Sequence, residues 1–69
     1  MLTVQLKAGK KYLSNKGMCR RITDITKTGN VEVVTYEKLE KDDRGDWRPH
    51  GSRETLLITI FARWAKEEA

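Results

Sequence analysis

The chain has 69 residues, 38% hydrophobic and 35% charged, with 14 Lys or Arg against 10 Asp or Glu and a formal net charge of +4. That length allows one small domain, which buries only about 60% of its unfolded surface. The longest apolar run is three residues, as in Leu56-Leu57-Ile58, far below the ~20 that span a bilayer, so no membrane partner is expected.

Thr3-Val4-Gln5-Leu6 alternates weakly and reads as a first strand, ended by the turn signal Ala8-Gly9. Lys11-Tyr12-Leu13-Ser14 is a second short extended piece, followed by the turn Asn15-Lys16-Gly17. Residues 18–27 read as a longer strand rich in Ile and Thr. Its Ile22 and Ile25 are three apart, which on a flat strand would put them on opposite faces. A bulge or strong bend near Thr23-Asp24 would return both to one core. Thr28-Gly29-Asn30 is a hairpin turn, since Gly or Asn takes positive φ at little cost.

Val31-Glu32-Val33-Val34-Thr35-Tyr36 is the most strand-like stretch, dense in β-branched and aromatic residues. Residues 40–51 are polar and predict a flexible hairpin loop, with Asp43-Arg44-Gly45-Asp46 near its tip. Residues 53–57 read as the returning strand. Ile60, Phe61, Trp64 and Ala65 then lie on one helical stripe, which predicts a helix over about residues 59–68, with Thr59 as N-cap. Arg63 and Glu67 would pair at i,i+4, while Glu67 and Glu68 in the last turn oppose the helix dipole. Docking of Phe61 and Trp64 must therefore hold this helix, because one so short is marginal alone. The fold class expected is mainly β: a small curled barrel of about five strands with a short C-terminal helix, one domain over residues 1–69.

Charge is unevenly spread. Residues 1–30 hold seven basic residues and one acidic, +6, and residues 31–69 hold seven basic and nine acidic, −2. Lys10, Lys11, Lys16, Arg20 and Arg21 fall in neighbouring turns and strands, so a curled sheet would gather several on one side, and Tyr12 would add a stacking face. Clustered cations with an aromatic face suit DNA or RNA. The bland alternative is a solvated outer face with Tyr12 half-buried. Trp47, in Gly45-Asp46-Trp47-Arg48-Pro49-His50, either packs across its hairpin or, with Arg48, anchors a protein partner. A homodimer through strand edges is a third reading for so small a core.

No catalytic residue, metal site or cofactor is expected. Cys19 and His50 would need to meet, with an orienting group, to form a nucleophilic dyad. Asp42, Asp43 and Asp46 lack the glutamate that a calcium loop places six residues after its glycine, position 51 being Gly51. A lone cysteine closes no internal disulfide, and residues 1–13 are interrupted by Gln5, Lys7, Lys10 and Lys11, unlike a signal peptide, so a cytoplasmic location is expected.

Leu6-Lys7-Ala8-Gly9-Lys10-Lys11-Tyr12, Gly17, Arg21-Ile22-Thr23-Asp24-Ile25 and the strand of residues 31–36 together resemble the small SH3-like barrels, including KOW-type modules. Phe61-Ala62-Arg63-Trp64-Ala65 resembles the ending of short proteins carried by phages and other mobile elements of proteobacteria. The resemblance implies a glycine-led first turn, a long bent strand and a hairpin, and a binding module more than an enzyme.

Overall fold

A computed structural model describes residues 6–69. It places six strands in one antiparallel sheet: β1 (Lys11–Leu13), β2 (Cys19–Thr28), β3 (Val31–Lys41), β4 (Trp47–Pro49), β5 (Glu54–Leu57) and β6 (Glu67–Glu68), with one helix, α1 (Ile58–Trp64). The fold is mainly β with a short C-terminal helix. The strand expected over residues 3–6 lies outside the described residues except for Leu6, which packs against the core.

The strand order is β4-β3-β2-β1-β6, with β5 also on β3. Strand β3 organises the sheet. It pairs with β2 along most of its length on one edge. On its other edge it takes β5 at residues 33–36 and β4 at residues 39–41. Pairing shifts between Ile22 and Asp24, so Thr23 is the extra residue, and its hydroxyl donates to the Thr35 carbonyl at 3.1 Å. That bulge resets the alternation. Ile22 opposite Tyr36 and Ile25 opposite Val34 thus face the same core.

Gly29 and Asn30 close the β2–β3 hairpin with φ +61° at Gly29, the positive φ that a two-residue hairpin turn requires at its first central position. A side chain on that backbone costs about 1–3 kcal/mol. Gly29→Val is therefore expected to lower the thermal midpoint by roughly 5–20 °C in a domain this size. An unchanged melting curve would mean that the hairpin closes another way.

The core is Tyr12, Ile22, Val34, Tyr36, Phe61 and Ala65, with Leu56, Ile58 and Trp64 packed around it. Phe61 is its hub: its ring lies 6.0 Å from Tyr12 edge-on, 5.5 Å from Tyr36 and 5.4 Å from Trp64. The helix is therefore a lid clamped by one aromatic residue.

Two boundaries differ from those the sequence predicts. The helix stops at Trp64, not near residue 68, because Ala65 is extended (φ −75°, ψ 120°). Continuing it would set Glu67 and Glu68 against the dipole. Instead they form β6 opposite Leu13 and Tyr12, and Glu68 meets the Lys10 ammonium at 3.3 Å. The Arg63–Glu67 pair does not form, and Thr59 lies inside the helix, whose N-cap is Leu57 without a side-chain cap.

The second difference is in residues 40–51. They are not one long loop: β3 runs to Lys41, β4 returns on it, and only a tight tip separates them. The Asp42 carboxylate builds that tip, its Oδ1 accepting the N–H groups of Arg44 and Asp46 at 2.9 Å each and its Oδ2 accepting Arg48 Nε at 2.6 Å. Polar composition here encodes a self-capped turn.

Candidate functional site

The six residues expected to bind nucleic acid are not brought together as one exposed cluster. Tyr12 is fully buried, and its hydroxyl accepts the Lys7 N–H at 2.8 Å, so it offers no stacking face. Lys10 is paired with Glu68. Arg21 donates to Glu37 directly across the β2–β3 ladder, from both Nε and Nη2. Lys11 stands beside Arg21 on the neighbouring strand. Acids from the second half of the chain thus pair with two basic residues of the first half, Lys10 and Arg21.

Lys11, Lys16 and Arg20 are left without an ion pair among the described residues, and the helix end joins the last two. A groove of about 420 Å³ opens between the β1–β2 turn and the end of α1, lined by Ser14, Lys16, Met18, Arg63, Trp64 and Lys66, with Asn15 at its rim. Ser14 fixes the turn: its Oγ accepts the N–H groups of Lys16 at 3.2 Å and Met18 at 3.3 Å, while Gly17 supplies φ +78°. Arg63 sits in the last helical turn, where the dipole favours a cation. Lys66 is held by its backbone N–H, which donates to the Leu13 carbonyl at 2.8 Å. Among the described residues, Lys16, Arg63 and Lys66 form no ion pair, and no carboxylate lines the groove.

Behind this wall the Arg20 guanidinium lies 4.2 Å from the Trp64 ring centroid and 4.7 Å from that of Tyr36. Stacking of this kind fixes both the arginine and the tryptophan. Arg20 Nε is buried with no hydrogen-bond partner. Trp64 is accordingly half-buried: it packs on the core and also walls the groove. Arg63 and Lys66 were invisible in the sequence because helical periodicity carries Arg63 towards Glu67 and Lys66 into a helix that in fact has ended. The unfavourable Glu67-Glu68 terminus was the signal that the helix stops early.

A second groove, of about 390 Å³, lies along the start of β2, the far half of β3 and β4. Met18, Cys19, Leu39 and Trp47 line it, with Arg20, Lys38, Glu40, Lys41 and His50 around them. Trp47 does pair across its hairpin, opposite Lys41, whose ammonium sits 5.2 Å from the ring centroid. Arg48 projects from the same strand, tied to Asp42. Cys19 and His50 both border this groove, yet among the described residues no hydrogen bond joins them; His50 Nδ1 is 3.5 Å from Glu40 instead. Burial pushes the Cys19 thiol above its ordinary 9.0, against the pull of Lys11, Arg21 and Lys41, the opposite of an activated thiolate.

Asp42 governs the hairpin that carries Trp47. The Arg48 guanidinium, then the backbone N–H of Asp46, hold its carboxyl below the ordinary 3.8. A depressed folded pKa gives stability that is present above the unfolded value and lost as pH falls through the folded one. The protection of the Arg44 and Asp46 amides, relative to their intrinsic exchange rate at each pH, is therefore expected to fall only below about pH 4. Protection already lost near neutrality would show that the carboxylate does not hold the tip.

No family model, no curated protein and no solved structure matches this chain. Among the described residues, no helix is long and apolar enough to cross a membrane, and no group of three or more His, Cys, Asp or Glu is placed to hold a metal ion.

Proposed function

We propose that this chain is a small nucleic-acid-binding module that takes a phosphate backbone, of DNA or RNA, in the groove between the β1–β2 turn and the end of α1. One observation carries the reading: Lys16, Arg63 and Lys66 converge from three segments on a groove with no carboxylate in its lining. Cations without internal partners are left to pair with backbone phosphates, and each such contact releases a condensed counterion from the nucleic acid. Trp64 adds an aromatic wall, braced by Arg20. The resemblance of the N-terminal turns and bent strand to SH3-like and KOW-type modules, and of the tail to phage and mobile-element proteins, favours a binding role over catalysis.

The test is fluorescence polarisation with a labelled single-stranded oligonucleotide over a range of salt. With about three phosphates engaged, the logarithm of affinity should fall with that of salt at a slope of about −2 for a single strand. Absent binding at low salt, or binding indifferent to salt, overturns the reading.

A further inference from the structure

The groove beside Trp47 differs in chemistry from the basic one. Its floor is apolar: Cys19 and Leu39 are buried, Trp47 is half-buried, and Met18 is 52% exposed although it is a large hydrophobic residue. Three permanent cations, Arg20, Lys38 and Lys41, border it against one carboxylate, Glu40. Of these, Lys38 is paired with Glu54, and Glu40 faces His50. Arg20 and Lys41 have no carboxylate partner among the described residues, and both are held against aromatic rings.

From this geometry we propose that the groove is a docking site for an acidic peptide segment of a partner protein, one that seats a large apolar side chain on Met18, Leu39 and Trp47 and sets carboxylates against Arg20 and Lys41. An apolar floor within a cationic rim matches that occupant in both respects. A guanidinium stacked on aromatic rings is already oriented for a planar carboxylate, which lowers the ordering cost of binding. A nucleic-acid strand fits this groove less well. Lys41 occupies the neighbourhood of the Trp47 ring that a base would stack on. The two grooves have Met18 in common, and Arg20, which borders this one, stacks on the Trp64 ring that walls the other.

Panning a phage-displayed library of random short peptides against the immobilised full chain tests this, followed by anisotropy and amide-shift mapping with the selected peptides. The selected sequences should pair Asp or Glu with an aromatic or aliphatic residue, and the shifts should centre on Leu39, Lys41 and Trp47. Lys41→Glu, an exposed change that leaves the core alone, should weaken these peptides at least about tenfold, and Lys27→Glu on the far hairpin should not. A variant with Lys16, Arg63 and Lys66 all replaced by Glu should still bind them, whatever becomes of nucleic-acid affinity. No enrichment, basic or purely polar winners, binding indifferent to Lys41→Glu, or an oligonucleotide that displaces the peptide from this groove would each overturn the proposal.

Discussion

Replacing Lys16, Arg63 and Lys66 together with glutamate is expected to weaken oligonucleotide binding by about a hundredfold or more while leaving the fold intact. Three charge-assisted contacts at ~1 kcal/mol each already multiply to more than two decades. The three side chains are exposed and make no ion pair among the described residues, so their loss removes no internal partner. The change carries the net charge from +4 to −2, and that shift alone weakens attraction to any polyanion. A matched control separates the two effects. Lys27, Arg44 and Arg53 are likewise exposed and without ion pairs, and they lie outside the basic groove. Reversing these three gives the same net charge and is expected to cost several-fold less. Equal losses in both variants would mean that affinity follows overall charge and that no groove is involved.

Phe61→Ala is expected to unfold the domain. The side chain is fully buried and touches three other aromatic rings. Truncating a buried phenylalanine costs about 3–5 kcal/mol, and a chain this short has only roughly 3–10 kcal/mol of stability in total. Because α1 has seven residues and no side-chain N-cap, nothing local would keep it helical once the hub is gone. Arg63 and Trp64 would lose their positions with it, and the basic groove would go as well. Collapse of near-UV dichroism and of amide-shift dispersion reads the outcome, with Phe61→Leu expected to stay folded at a lower melting temperature. An alanine variant that melts like the wild type would show that the helix is not the lid on this core.

Much of the fold is legible in the residues for identifiable reasons. Ile22 and Ile25, three apart in a strand, require an extra residue between them, and the bulge falls at Thr23. Gly29-Asn30 announces its hairpin because few other pairs take that backbone, and residues 54–57 return on β3 as their apolar content suggests. Strand β4 was hidden because an edge strand of three residues needs no apolar alternation, and because the Asp42 carboxylate that closes the turn looks in sequence like one more loop acid. The candidate site was half legible. Lys16 and Arg20 stand out by charge, but so do Lys10 and Arg21, and only the tertiary pairing with Glu68 and Glu37 removes those two. Tyr12 reads as equally suited to surface or interior; a backbone donor at Lys7 satisfies its hydroxyl and lets the whole ring be buried. Arg63 and Lys66 depend on where a helix ends, and periodicity marks a helix's face far better than its last residue.

The most direct measurement is an amide and indole shift titration of the isotope-labelled chain with a single-stranded oligonucleotide at low salt. A phosphate strand lying in the basic groove predicts saturable shifts concentrated on Lys16, Arg63, Lys66 and the Trp64 indole, reversed by added salt. Shifts gathered on the opposite side of the sheet, around Lys11 and Arg21, or none at all, would contradict it.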